Sequence, residues 1–173
     1  MRRFLLLAPL SLAACVAPQP APAPAPPPPR PATPAPPPPA RIVTWQDGPL
    51  APGDWHWERD ARGSLAMFGV MGQNAAFVVR CDLAQRKLSL TVPGEAAAGA
   101  TLTIQTSDGA RTFPAATTGT QPPYAGAALP ATDGFLDRMA FSRGRFRVQL
   151  TGQPAMVVPA WPELARTIED CRP

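Results

Sequence analysis

Histidine, lysine and tyrosine each occur once in this chain, as His56, Lys87 and Tyr124. A single histidine excludes a metal site built on two of them. The sequence has no Gly-x-Ser-x-Gly, no His-Glu-x-x-His and no phosphate-binding glycine loop, so the common hydrolase, metalloprotease and nucleotide signatures are missing. Strong charge of one sign is missing too. The 16 basic residues exceed the 12 acidic ones by four, and Arg2 and Arg3 lie in the leading segment. Without those two the balance is about +2, too weak a field to argue for nucleic acid. Cysteine is scarce: Cys15, Cys81 and Cys171. No catalytic residue, metal site or cofactor is expected.

Proline, by contrast, is abundant. From Pro18 to Ala40, 14 of 23 residues are proline, first as Ala-Pro repeats and then as four-proline blocks at 26–29 and 36–39. Proline fixes φ and removes the backbone donor, so this stretch forms neither helix nor sheet. Polyproline II is expected, reaching roughly 70 Å if straight. A spacer is the natural reading. A ligand for a proline-recognising partner is the alternative, with only Arg30 as a specificity residue.

Ahead of the spacer lie Arg2 and Arg3, then the apolar run Phe4 to Leu12, then Ala13-Ala14-Cys15. The charged start, the short apolar stretch and the small residues are the three parts of a secretory signal. The run is too short to span a bilayer as a mature helix. Leu12-Ala13-Ala14-Cys15 resembles the lipobox of bacterial lipoproteins. That resemblance implies cleavage after Ala14, a diacylglycerol on the sulfur of Cys15, and acylation, palmitate for example, of its amine. It also implies attachment to a membrane through the lipid. Val16 stands where retention in the inner membrane usually calls for Asp, so the expected address is the outer membrane of a Gram-negative cell, facing the periplasm. An ordinary signal peptide with a chance cysteine is the alternative. The expected organisation is residues 1–14 as signal peptide, 15–40 as lipidated N-terminus and linker, and 41–173 as one β-rich periplasmic domain.

Within that domain short apolar stretches alternate with turn signals. Phe77, Val79 and Cys81 share one face, with Val78 and Arg80 on the other. Leu88, Leu90 and Val92 alternate with Ser89 and Thr91, and Phe146, Val148 and Leu150 with Arg145, Arg147 and Gln149. Period-two patterns of this kind are half-buried strands. Ile42, Val43 and Trp45 offer an edge strand. Asp108-Gly109 suits a type I′ hairpin turn. Residues 116–130 read as irregular. A short helix is expected near 132–142, capped by Thr132 and ended by Gly144. A last strand is expected at 155–158. Pro162 then opens a C-terminal helix with Leu164, Ile168 and Cys171 on one face. The whole predicts a mainly β fold, an antiparallel sandwich or small barrel with two short helices.

Cys81 and Cys171 are an even pair in an exported chain, and both are predicted to point inward. A disulfide is the expected fate in an oxidising compartment, two separate buried thiols the alternative. Arg143, Arg145 and Arg147 are spaced so that a strand would place all three on one face. Like charges so placed repel unless an anion answers them. Asp133 and Asp137 could answer them from within; otherwise they form a solvated face or an anion-contacting one. His56 reads as a surface residue, Glu58 and Asp60 as a solvated strand face. Trp45, Trp55 and Trp57 read as core and rim packing, with a sugar platform as the lesser alternative. The expected partners beyond the membrane are an envelope protein, lipopolysaccharide or peptidoglycan.

From Phe77 onward the pattern resembles periplasmic β-domains of the invasion-associated locus B type and of the type VI secretion-associated VasI type. Phe77-Val78-Val79-Arg80-Cys81, the Phe-x-Val-x-Leu strand at 146–150 and a final helix ending in Cys171 carry the likeness. It implies a β-sandwich with its two cysteines bonded and no known catalytic site. Ser107-Asp108-Gly109-Ala110-Arg111 is similar to the Ser-Gly-x-Lys/Arg-Tyr loop of membrane-bound lysozyme inhibitors, with Asp108 inserted. That likeness implies a hairpin that plugs a wall-degrading enzyme.

Overall fold

The computed structural model describes residues 44–173. The leader, Cys15, the proline-rich stretch, and Ile42 and Val43 lie outside the described residues.

Among the described residues, ten strands form two antiparallel sheets. In chain order they are β1 (Asp54–Asp60), β2 (Gly63–Gly69), β3 (Phe77–Asp82), β4 (Lys87–Pro93), β5 (Thr101–Thr106), β6 (Gly109–Pro114), β7 (Ala116–Thr117), β8 (Tyr124–Pro130), β9 (Arg145–Leu150) and β10 (Met156–Pro159). The larger sheet runs β1-β2-β3-β4-β8-β7, the smaller β10-β9-β5-β6. Neither closes into a barrel, so the sandwich reading holds. Helix α1 spans Phe135–Ala140 and α2 Pro162–Cys171.

The strands with clean alternation are those the sequence marks. Buried and half-exposed residues alternate along β3, β5 and β9. Their inward residues meet in one core, where Phe77 packs edge-on against Phe146 at 5.8 Å between ring centres. Trp55 extends the cluster, 5.5 Å from Phe68 and 6.2 Å from Phe77.

Helix α2 and the small sheet share the inner face of the large sheet. The helix packs on β1 to β4, while β5 and β6 meet β8. Leu164, Thr167, Ile168 and Cys171 are its buried face. Its end is fixed twice. Cys171 is bonded to Cys81 across 90 residues, with the Cα atoms 5.4 Å apart, inside the range a disulfide needs. Arg86, in the β3–β4 turn, donates to the carbonyls of Cys171 at 3.4 Å and Arg172 at 2.8 Å. Those oxygens have no partner within the helix, so the guanidinium satisfies groups that the helix end leaves open.

Four local expectations need correction. Trp45 lies in a 3-10 turn, Trp45–Asp47, rather than an edge strand, because Thr44 and Asp47 close a capping box around it. Residues 124–130 form a full strand where irregular chain is expected. β8 pairs with β4 from Lys87↔Pro130 to Pro93↔Tyr124. Its Ala-Gly-Ala-Ala stretch carries little β-propensity, so only tertiary pairing defines it. Helix α1 begins at Phe135, later than Thr132 suggests. Asp133, not Thr132, accepts the Phe135 N–H, at 2.9 Å. Phe141, not Gly144, is its C-cap. Finally, the β5–β6 turn centres on Ser107-Asp108, with Thr106 opposite Gly109. Of these only Gly109 has positive φ, +126°, which a type I′ turn at Asp108-Gly109 does not allow.

Candidate functional site

The outward face of the large sheet is not flat. Between the β2–β3 loop and the segment joining β7 to β8 lies a cleft of about 760 Å³. That volume is in the usual range of small-molecule sites, ~300–1,000 Å³. The strand pleat supplies its floor. Positions facing away from the core are Leu65 and Met67 on β2, Val78 and Arg80 on β3, and Ser89 and Thr91 on β4, and all line the cleft. Gln73, Asn74 and Ala75 form one wall. Residues 118–122 and Tyr124 form the other, and the Tyr124 hydroxyl donates to the Ala75 carbonyl at 2.8 Å. That bond joins the two walls across the sheet. Burial raises the Tyr124 pKa, so the phenol stays neutral.

The walls shield part of the floor. Leu65 is 4 % exposed and Thr91 7 %, though both point away from the core. Opposite Thr91 the β8 partner is Gly126, which adds no side chain to the cleft. A Cβ there would overlap the Leu90 carbonyl oxygen, so the close approach of β8 to β4 requires glycine.

The charges at the cleft are answered within the protein. Arg80 pairs with Asp60 at 2.8 Å and Arg62 with Asp82 at 3.2 Å. Both carboxyls are held below the usual carboxylate range. For Asp60 the hydrogen bond from Arg80 is the largest cause; for Asp82 it is the backbone N–H of Gln85, then Arg62. Both therefore remain ionised at neutral pH. The neutral polar groups are different. Among the described residues, the side chains of Gln73, Asn74, Ser89, Thr91 and Gln121 form no hydrogen bond within the protein. Thr91 is the most buried of them, more than nine-tenths covered as a residue, while its hydroxyl stays accessible to solvent.

The residues singled out by sequence lie elsewhere, and the structure does not gather them into one site. Arg145 and Arg147 share the outer face of β9, but Arg143 precedes the strand. Its backbone N–H donates to Ser107 Oγ at 3.2 Å, which pins that turn to the β5–β6 hairpin. Asp133 and Asp137 do not answer this group. Asp133 binds Arg111 at 2.8 Å, and Asp137 binds Arg172 at 2.6 Å. The Arg145 guanidinium donates instead to the Gly48 carbonyl at 2.8 Å. Cross-strand neighbours of Arg147 are Gln105 and Val157, and no strand carboxylate shares their face.

The tryptophans form no platform. Trp55 is in the core, and its indole N–H donates to Pro159. Trp57 is covered by the Arg166 guanidinium, 3.4 Å from its ring centre. Asp60 accepts from the Arg62 and Gly63 backbone N–H groups as well as from Arg80. His56 and Glu58 border a neighbouring hollow of about 460 Å³. Arg111, central to the inhibitor-like hairpin, is held by Asp133 and stacked 4.8 Å over Phe113.

Sequence reasoning missed the cleft because half of it comes from segments read as loop or irregular chain. The outward alternation of Ser89 and Thr91 is its only visible trace. Searches of family models, curated proteins and solved structures give no match to this chain.

Proposed function

We propose that this chain is an outer-membrane-anchored lipoprotein that displays a non-enzymatic β-domain on a polyproline stalk, with a binding or envelope-organising role. The observation that carries the reading is Leu12-Ala13-Ala14-Cys15 at the end of a short apolar run, followed by 14 prolines within residues 18–40. The lipobox-like segment supplies an anchor and the prolines a spacer. The Cys81–Cys171 bond supports export, since such bonds persist in oxidising compartments. Among the described residues no helix is long and apolar enough to cross a membrane. The cleft on the outward face of the large sheet is where a ligand would sit.

The alternative, an inhibitor of a wall-degrading enzyme, needs the 107–113 hairpin to offer Arg111 to a partner. The Asp133 pairing of that residue counts against it. A lysozyme-inhibition assay separates the two readings.

Fractionation of cells expressing the full chain tests the proposal. The wild type is expected in the outer-membrane band of a sucrose gradient, with the precursor accumulating under globomycin. Cys15→Ser is expected to leave the membrane, because acyl chains supply most of the binding. A Cys15→Ser form still in the membrane pellet, or processing that ignores globomycin, refutes the anchor.

A further inference from the structure

We propose that the cleft on the outer face of the large sheet binds an uncharged, N-acetylated amino-sugar oligosaccharide. The inference rests on the envelope-binding reading above and names the ligand class of that same site.

Three observations carry it. The first is the state of the charges. Among the described residues, Arg62 and Arg80 are the ionic side chains that line the cleft, and each already has a carboxylate partner. An anionic ligand would have to compete with Asp82 and Asp60 for them. A neutral ligand leaves both pairs in place.

The second is the set of uncommitted groups. Gln73, Asn74 and Gln121 each present an amide that donates and accepts, and Ser89 and Thr91 each present a hydroxyl. Thr91 is 7 % exposed, with a hydroxyl that finds no partner in the protein. That hydroxyl still reaches solvent in the cleft, so a ligand hydroxyl or amide above β4 can take the place of water on it. Between these groups Met67 and Val78 leave an apolar strip on the floor. Alternating polar groups over an apolar floor match a sugar ring, which carries hydroxyls at its rim and C–H groups on its faces. An acetamido methyl fits the same strip.

The third concerns peptides. An extended peptide is bound chiefly through its backbone, by adding a strand to a sheet edge. Here the floor is the middle of a sheet. The backbones of β2, β3, β4 and β8 are paired with one another along the cleft. No ladder of free N–H and C=O groups is open to a peptide, so recognition falls to side chains. That suits a polyol better than a polyamide.

The test uses the full chain as isolated in detergent, whatever its lipidation, so that its outcome does not depend on where the cell places the protein. Isothermal titration with tri-N-acetylchitotriose is the probe. Cellotriose lacks the acetamido groups, and polygalacturonate supplies an anionic polymer. Saturable binding of tri-N-acetylchitotriose, weaker binding of cellotriose and no cleft-dependent binding of polygalacturonate are expected. Thr91→Val keeps the shape and removes the hydroxyl, and is expected to weaken the chitotriose by about 3- to 10-fold. Asn74→Ala lies on an exposed loop and gives an independent variant that does not threaten folding. Circular dichroism melts confirm that each variant is folded. No binding of either neutral sugar, binding that neither variant changes, or a preference for the anionic polymer would overturn the proposal. The fractionation result for Cys15→Ser is unaffected by any of these outcomes, so the two readings fail separately.

Discussion

The indole N–H of Trp55 donates to the carbonyl of Pro159 at 2.8 Å, and the two residues are 104 apart in sequence. The bond links the first strand of the large sheet to the last strand of the small one, just before α2 begins. Trp55 is 5 % exposed, so the bond is screened from water. Trp55→Phe keeps much of the ring packing and leaves the Pro159 carbonyl without this partner. The expected cost is about 1–3 kcal/mol. Trp55→Ala also opens a cavity beside Phe68 and Phe77 and is expected to cost about 3–5 kcal/mol. Urea denaturation followed by tryptophan-independent far-UV signal checks both values.

The disulfide ties the end of α2 to the inward face of β3. A helix of 10 residues is marginal alone. Removing a crosslink across 90 residues is expected to lower stability by roughly 2–5 kcal/mol in Cys171→Ala. Hydrogen exchange is expected to show α2 losing protection before any sheet strand, with Leu164 and Ile168 amides leading. Equal protection in the variant would show that Arg86 and the packed face hold the helix without the bond.

At Gly126 the packing of β8 on β4 leaves no room for a Cβ. Gly126→Ala puts a methyl group onto the Leu90 carbonyl, and the backbone has no flexible side chain there to move aside. A loss of about 1–3 kcal/mol is expected, as for other overpacked sites. A neutral substitution would mean that the β4–β8 register can shift.

Acid titration bears on the ion pairs at the cleft. The folded pKa of Asp60 lies below its ordinary value of 3.8, chiefly through Arg80. A lowered carboxyl favours the folded state above the unfolded pKa, and that contribution fades as pH falls through the folded value. The Asp60 contribution is therefore complete at neutral pH and lost progressively below about pH 4. In Asp60→Asn the fall of stability below pH 4 is expected to be shallower than in the wild type. Parallel acid-denaturation curves would remove the Arg80 pair from the account.

The strands with inward Phe, Val, Leu or Ile at every second position were legible from sequence, as were α2 and the pairing of Cys81 with Cys171. They are legible because one buried face forces a strict period. β8 was not, since Ala125, Gly126, Ala127 and Ala128 carry no pattern strong enough to separate strand from loop. The cleft was hidden for a related reason. Gln73, Asn74 and Gln121 come together only because two turns fold over one sheet, and no spacing along the chain records that. Arg143 was misplaced because regular spacing continued past the true start of β9.

The basic face of the small sheet can be examined without disturbing its one internal bond. Arg143→Gln with Arg147→Gln leaves the Arg145–Gly48 contact intact. If this face meets an anion, the double variant is expected to be retained less on immobilised lipopolysaccharide, with the difference largest at low salt. Equal retention at every ionic strength leaves a solvated face.

The central claim is that one molecule carries both a lipid at Cys15 and a Cys81–Cys171 bond. Mass spectrometry of the full chain isolated from membranes, digested without reduction, reads both at once. The account predicts an N-terminal peptide that begins at Cys15 with a diacylglycerol and amide-linked palmitate, and one crosslinked peptide joining 81 to 171. An unmodified Cys15 within an uncleaved leader, together with two free thiols, would contradict it.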